Sequence, residues 1–189
     1  MKKRISIVLL VIGVTITSVV GFTSSSLGSE IETTQKDYKL ILGEFSLKEL
    51  KASINKKWFE ARYNDYNLKA STTNEIAEEF RNQDLSITVY MGTWCEDSQR
   101  EFPALIKFLD KSGFDKNKLT IIGVDENKEV PNVSEKRSKE LNIINVPTII
   151  VYDAKGKEMN RFVEFPQQTL EEDLLKIVSG KDYKHVYEF

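Results

Sequence analysis

The sequence contains a single cysteine, so it cannot form a disulfide bridge within itself. That residue, Cys95, is therefore a functional thiol, a partner in an intermolecular disulfide, or an inert residue of the core. The sequence also contains a single histidine, His185, close to the C-terminus. Cysteine–histidine catalysis would require this histidine to fold back onto Cys95, and we expect an exposed tail residue instead.

Other common signatures are missing as well. The net charge is −2, and the body of the chain has no run rich in lysine and arginine, so nothing indicates a nucleic-acid partner. No Cys/His pair has the spacing of metal ligands, and no glycine-rich loop could hold a phosphate. Residues 125–127 are acidic and amidic, but a solvated loop is the simpler interpretation than a cation site. The sequence therefore predicts no metal and no other cofactor.

The N-terminus carries the long uncharged run of the chain. Lys2, Lys3 and Arg4 precede residues 5–22, which have no charge. A basic flank before an apolar run is typical of a secretory signal or a membrane anchor. We expect residues 1–22 to be one of these, and the rest of the chain to be exported to the periplasm or another extracytoplasmic compartment. If the run is not cleaved, residues 5–22 would tether the protein to the membrane.

Composition and periodicity divide the remaining chain into four parts. Residues 23–37 are rich in Ser, Thr, Glu and Gln and predict a flexible linker. Residues 38–84 predict a helical extension, with apolar residues at helical spacing over 46–69. Residues 85–180 form a domain in which predicted strands and helices alternate. Residues 181–189 form a tail.

The pattern of residues 85–180 predicts an α/β fold. Continuous apolar runs indicate buried strands, and apolar residues at i, i+3, i+4 and i+7 indicate helices. The predicted order is β-α-β-α-β-β-α, with strands over 85–91, 119–124, 148–152 and 157–163 and helices over 97–112, 134–141 and 169–178. This alternation predicts a central mixed four-stranded sheet flanked by helices, with the first two strands parallel and the hairpin antiparallel to them.

Four features of this domain resemble the thioredoxin superfamily. They are a strand that runs into Trp94-Cys95, Pro103 eight residues after the cysteine, Val146-Pro147 before a strand, and a hairpin turn at residues 153–157. The Cys-x-x-Ser spacing of Cys95 and Ser98 is similar to that of a bacterial, exported thioredoxin-like subgroup. The resemblance therefore implies a thioredoxin-like fold with its active site at Cys95.

The resemblance also implies roles for individual residues. Cys95 would be the reactive thiol, with Ser98 beside it, and Pro103 would be a structural residue of the active-site helix. Val146 and Pro147 would form a cis peptide that faces the cysteine and presents backbone groups to an extended substrate. Trp94 would shield the thiol beside the substrate groove.

The chemistry expected of Cys95 can be argued without the family. A thiol attacks as the thiolate, and a free cysteine, with a pKa of about 8.5, is mostly protonated at neutral pH. The N-terminus of the predicted helix favours the thiolate, and Ser98 can offer a hydroxyl hydrogen bond to the sulfur. The carboxylates of Glu96 and Asp97 oppose the thiolate. We therefore expect moderate activation.

Two departures from the family pattern weaken the comparison. Val89 stands where many members have a buried carboxylate that aids proton transfer. Residues 161–165 contain no glycine, although one is common near the groove after the hairpin. Both departures suggest altered substrate access or slower thiol turnover.

The functional hypotheses follow from Ser98, which stands where a dithiol site has its second cysteine and cannot resolve a mixed disulfide. The leading hypothesis is an oxidoreductase-like or isomerase-like exchange, in which Cys95 forms mixed disulfides with protein or small-thiol disulfides and an external reductant resolves them. The alternative is a redox-inactive module that binds peptides or a partner. A thiol peroxidase is a weaker third hypothesis, because Gly92 stands where such a site usually has a hydroxyl residue.

Overall fold

The computed structural model describes residues 37–188. The predicted signal or anchor at 1–22 and nearly all of the linker at 23–37 lie outside these residues. Among the helices of residues 37–188, none has both the length and the apolar character needed to cross a membrane.

One mixed sheet of five strands forms the centre of the fold. The strands are β1 (Gly43–Glu44), β2 (Ser86–Met91), β3 (Leu119–Gly123), β4 (Thr148–Tyr152) and β5 (Glu158–Val163), in the spatial order β1-β3-β2-β4-β5. β2 and β3 are parallel, β4 is antiparallel to β2, and β4 and β5 form an antiparallel hairpin, which confirms the predicted parallel pair and the predicted hairpin. Within the hairpin only β4 is antiparallel to β2, because β5 reverses direction again. The structure adds β1 to the four predicted strands, since Gly43 and Glu44 pair antiparallel with Gly123 and Ile122. Two residues are too few for an alternating pattern to indicate a strand.

Six α-helices surround the sheet in residues 37–188. They are α1 (Leu47–Lys51), α2 (Lys56–Asp65), α3 (Ala70–Asn82), α4 (Glu96–Ser112), α5 (Glu135–Leu141) and α6 (Leu170–Val178). Residues 52–55 divide the helical pattern predicted over 46–69 into α1 and α2. Ser46 caps α1 through a reciprocal capping box with Glu49. Thr169 caps α6 by accepting a hydrogen bond from the Glu172 N–H, which confirms the predicted start of the last helix.

The N-terminal helices share the main hydrophobic core with the sheet. Leu50 of α1, Phe59 of α2 and Ile76 of α3 are fully buried in it, together with Phe102 of α4. The rings of Phe59 and Phe102 lie 5.9 Å apart. Burying a side chain of this size contributes about 1.5–3 kcal/mol. The helices of the predicted extension therefore help to hold α4, the helix that follows Cys95.

The segment after α6 packs against the sheet. The Tyr183 side chain is buried and donates a hydrogen bond to Asp173 Oδ2 at 3.2 Å, and Asn160 Nδ2 donates to Tyr183 O at 2.9 Å. The expectation that His185 is exposed is therefore wrong, because the residue is only 8% exposed and its Nδ1 accepts from the Tyr187 N–H. Burial lowers the pKa of His185, which favours the neutral imidazole.

Candidate active site

Cys95 lies between the end of β2 and the start of α4. It is the N-cap residue of α4 and is partly buried. Its N–H donates to Gly92 O at 3.0 Å, and its carbonyl accepts from Gln99 N at 2.9 Å. The thiol is therefore placed at the first turn of a helix, where backbone N–H groups have no acceptor within the helix. This confirms the predicted position of the cysteine at a strand-to-helix turn.

The cis-proline loop lies against the sulfur. The peptide between Val146 and Pro147 is cis, as expected, and both residues are buried. Cys95 Sγ donates a hydrogen bond to Val146 O at 3.3 Å. The structure thus brings together Cys95, Val146 and Pro147, which are about fifty residues apart in the sequence.

The ring of Trp94 covers Gly92 at the start of the same turn. A Cβ atom at Gly92 would lie 2.5 Å from Trp94 Cε2, so only glycine leaves room for the ring. Trp94 Nε1 donates to Val124 O at 3.0 Å, at the end of β3. Trp94 and Cys95 both pack against the smaller core cluster that contains Val146. Gly92 therefore has a packing role at this turn.

Ser98 contacts the backbone of the turn and forms no hydrogen bond with the sulfur. Its side chain is fully buried, and its Oγ accepts from Gly92 N at 3.2 Å. Within residues 37–188 no hydrogen bond joins Ser98 to Cys95, in contrast to the expectation from the sequence. Pro103 lies inside α4 and is buried, where it removes one backbone N–H from the helix.

Arg100 pairs with two of the carboxylates in the first part of α4. Its Nη2 lies 2.6 Å from Asp97 Oδ1, and its Nε lies 2.7 Å from Glu101 Oε1. The carboxylate of Asp97 is one of the two charges expected to oppose a thiolate at Cys95, and the guanidinium of Arg100 offsets part of that charge. Glu96 is exposed, where water and salt screen its charge. The i, i+3 spacing of Asp97 and Arg100 was the signal for this pair.

Residues 46–176, more than half of the chain, match the family model described as thioredoxin. The chain belongs to the thioredoxin family. Membership supports a general role in thiol redox chemistry. None of the curated proteins matches the chain.

Among the solved structures that are similar to this chain are those of three proteins. A protein of unknown function from Pseudomonas aeruginosa is 18% identical, with 66% of this chain and 74% of that chain covered and a TM-score of 0.44. Mitochondrial thioredoxin 3 from Saccharomyces cerevisiae, in its oxidized form, is 18% identical, with 53% and 84% covered and a TM-score of 0.29. A DsbH oxidoreductase is 19% identical, with 61% and 85% covered and a TM-score of 0.30.

Glu164 occupies the stretch where a glycine was expected from the thioredoxin pattern. Its φ of 67° lies in the left-handed region, which glycine adopts without strain and other residues rarely do. Its N–H donates to Pro147 O at 2.8 Å, so it lies beside the cis-proline loop. Its carboxylate accepts from Asn145 Nδ2 at 3.2 Å and from the Tyr187 hydroxyl. Burial and the charge of Asp97 raise the pKa of Glu164.

The interior position that often carries a carboxylate in thioredoxins is apolar here. Val89 is fully buried in β2, where it is the Cα partner of Ile121 in β3 and of Ile149 in β4. Asp125 uses its Oδ1 to accept from the N–H groups of Asn127 and Glu129, within the loop after β3. In the described part of the chain, no group of three or more His, Cys, Asp or Glu residues could hold a metal ion.

Proposed function

We propose that this chain is an exported thioredoxin-family protein that performs thiol–disulfide exchange by a monothiol route. One arrangement carries the proposal. Cys95 is the N-cap residue of α4 and lies against the carbonyl of Val146, and Ser98 stands at the position of the second cysteine of a dithiol site. The Ser98 hydroxyl is buried and bonded to Gly92 N, so it contributes to the shape of the turn. Because Ser98 is not a cysteine, it supplies no second sulfur.

The exchange has two steps. The Cys95 thiolate attacks one sulfur of a substrate disulfide, an S–S bond forms to Cys95, and the other substrate sulfur leaves as a thiolate that takes a proton from water. An external thiolate, or another cysteine of the substrate, then attacks the substrate sulfur of the mixed disulfide. Cys95 leaves as a thiolate, and the number of disulfide bonds is conserved. The single-cysteine site therefore requires a resolving thiol from outside this chain, supplied by an external reductant or by the substrate itself.

The surroundings of Cys95 favour a disulfide in an extended segment or a small molecule. The carbonyl of Val146 contacts the sulfur of the partly exposed Cys95, and Trp94 and Pro147 are the chain neighbours of these two residues. The basic and then apolar N-terminal sequence supports export, and disulfides persist in oxidising compartments outside the cytoplasm. In this proposal, residues 5–22 are either removed or retained as a membrane tether.

The test uses the full-length protein and a disulfide probe. Reduced protein is mixed with glutathione disulfide or with an oxidised, disulfide-bonded protein, quenched with acid, and analysed by mass spectrometry. We expect a mixed disulfide at Cys95 that added reduced glutathione removes, and no adduct in Cys95→Ser. If neither probe forms an adduct, and Cys95 is alkylated at the rate and pH dependence of a free cysteine, the monothiol proposal fails. Cell fractionation and N-terminal sequencing of the mature chain test export and cleavage separately.

A binding module without redox activity is the second candidate. The hydrogen bond from Cys95 Sγ to Val146 O requires the protonated thiol, and a protonated thiol is not a nucleophile. For this candidate, partners captured from the native compartment would bind Cys95→Ser as well as the unaltered protein. Loss of those partners in Cys95→Ser favours the exchange reaction.

A further inference from the structure

Thr93 connects the turn that carries Cys95 to the N-terminal part of the chain. Its side chain is fully buried. Its Oγ1 donates to Lys39 O at 2.9 Å and accepts from Ile41 N at 3.3 Å. A buried hydroxyl used both as donor and as acceptor holds the residue in one position relative to the segment from Lys39 to Ile41.

Asn55 holds the other side of this segment. Its side chain is fully buried at the start of α2. Its Nδ2 donates to Lys39 O at 2.7 Å, and its Oδ1 accepts from Lys39 N at 2.8 Å and from Trp58 Nε1 at 3.3 Å. The carbonyl of Lys39 therefore accepts from both Asn55 and Thr93, and it connects α2 to the turn through one peptide group.

This connection differs in origin from the other restraints on the turn. At the junction of β2 and α4, Gly92 O accepts from Cys95 N and Gly92 N donates to Ser98 Oγ, and Gln99 Nε2 donates to Thr93 O at 2.8 Å. These contacts come from the two elements that flank the turn. The path from Asn55 through Lys39 to Thr93 is a separate restraint on the turn. Lys39 lies 54 residues before Thr93 in the sequence.

We propose that Asn55 and Thr93 are positioning residues for Cys95, which act through the peptide group of Lys39. The inference rests on the proposed thiol chemistry, because it assigns these residues to the reactivity of that thiol. By fixing Thr93, the path sets where Cys95 stands relative to the free N–H groups of α4 and to the carbonyl of Val146. Small displacements of a reacting group are enough to reduce its rate strongly.

Two substitutions interrupt the path on opposite sides of Lys39. Thr93→Val is nearly isosteric and removes the hydroxyl, while Lys39 stays bonded to Asn55. Asn55→Ala removes the hydrogen bonds between Lys39 and α2, while Thr93 stays bonded to Lys39. Thr93→Ser keeps the hydroxyl and serves as the conservative rescue. The matched control is Thr73→Val, because Thr73 is also buried and its Oγ1 also donates to a backbone carbonyl at 2.9 Å, that of Lys69 in α3.

The measurement is the rate of Cys95 alkylation by iodoacetamide as a function of pH, with urea unfolding of each variant alongside. We expect Thr93→Val and Asn55→Ala each to move the midpoint of the pH profile upwards and to lower the rate at neutral pH by about tenfold. Thr93→Ser should retain the original midpoint. Thr73→Val should lose stability without moving the midpoint, since a merely structural role changes unfolding alone.

The double variant Thr93→Val/Asn55→Ala provides a further test of the path. If both residues act through Lys39, the double variant should shift the midpoint no further than either single variant. Additive shifts, an unchanged midpoint in Thr93→Val, or an equal shift in Thr73→Val would overturn the proposal. If Thr93→Val does not fold, the same comparison is made with Asn55→Ala. If no mixed disulfide can be trapped at Cys95, the proposed function is refuted. The midpoints of the alkylation profiles can still be compared among the variants in that case.

Discussion

The hydroxyl of Tyr66 donates a hydrogen bond of 2.5 Å to Oε2 of Glu171, and it joins the end of α2 to the first turn of α6. Glu171 is only 1% exposed, and its other oxygen accepts no hydrogen bond from residues 37–188. A buried carboxylate with so few partners depends strongly on the one it has.

Tyr66→Phe should therefore destabilise the protein by about 1–3 kcal/mol, because it leaves the buried carboxylate of Glu171 without this donor. Urea unfolding followed by circular dichroism measures the loss. Tyr63→Phe is the matched control, since Tyr63 donates at 2.7 Å to Asp110, a side chain that is 22% exposed and also paired with Lys116. An equal loss in both variants would contradict the dependence on burial.

Glu101→Gln should stabilise the protein at neutral pH. Burial raises the pKa of Glu101 above its usual value, in spite of the opposing hydrogen bond and charge of Arg100, and Asp97 and Glu171 add to the rise. Because the folded-state pKa is higher than the unfolded one, the contribution of Glu101 to stability is present at low pH and is lost as pH rises through the folded-state pKa. The advantage of Glu101→Gln should therefore grow in urea unfolding as the pH rises from the unfolded-state pKa of Glu101 through its higher folded-state pKa.

Glu49→Gln is the control of opposite sign. Hydrogen bonds from the Ser46 backbone and side chain lower the pKa of Glu49, so its contribution is present at neutral pH and is lost as pH falls. This variant should be less stable than the unaltered protein at neutral pH, with the difference disappearing in acid. A Glu101→Gln variant that loses stability at neutral pH would show that the ion pair with Arg100 outweighs the cost of burial.

Ser98→Cys should convert the site to dithiol chemistry. The second sulfur would stand one helical turn after Cys95 and could attack its mixed disulfide from within the chain. We expect the trapped adduct with glutathione disulfide to fall sharply and an internal disulfide to appear in the mass spectrum. Ser98→Ala, which also loses the bond to Gly92 N, should keep the adduct. Persistence of the adduct in Ser98→Cys would show that the buried position cannot reach the sulfur.

Gly92→Ala should displace the ring of Trp94, since the added Cβ would lie 2.5 Å from it. We expect a loss of about 1–3 kcal/mol from overpacking and a shift in Trp94 fluorescence, measured in a Trp58→Phe background. Gly156→Ala is the control, because its φ of 74° makes the substitution strained while its Cβ would contact nothing within 4 Å. That variant should lose stability and leave the emission unchanged. Unaltered Trp94 emission in Gly92→Ala would refute the predicted clash.

Local sequence patterns predicted the four main strands and their pairing, and the resemblance to the thioredoxin superfamily implied the position of Cys95 beside Val146 and Pro147. The local patterns did so because apolar runs and helix signals are read over a few neighbouring residues. The burial of His185 could not be predicted in this way. The segment around it mixes charged and aromatic residues and shows no helical or strand period, and its place against the sheet is seen only in the structure, where Tyr183 packs into the core.

The hydrogen bonds that hold the turn at Cys95 could not be predicted from the sequence either. Lys39 and Thr93 are 54 residues apart, and Lys39 and Asn55 are 16 apart. Their bonds use a backbone peptide group, which every residue has, so no residue type marks them. The hydrogen bond expected between Ser98 and the sulfur is likewise absent from residues 37–188, where the Ser98 hydroxyl accepts from the backbone N–H of Gly92.

The shortness of β1 has a consequence for how the protein behaves in a crowded compartment. A sheet edge offers unpaired N–H and C=O groups on which another chain can form a strand, and a long flat edge invites aggregation. β1 presents only Gly43 and Glu44 at one edge. At the opposite edge, β5 carries the ion pair of Glu158 and Arg161 and is bonded to the C-terminal segment through Asn160. The sheet therefore gives neighbouring chains little to extend, although Cys95 lies partly exposed at the end of one of its strands.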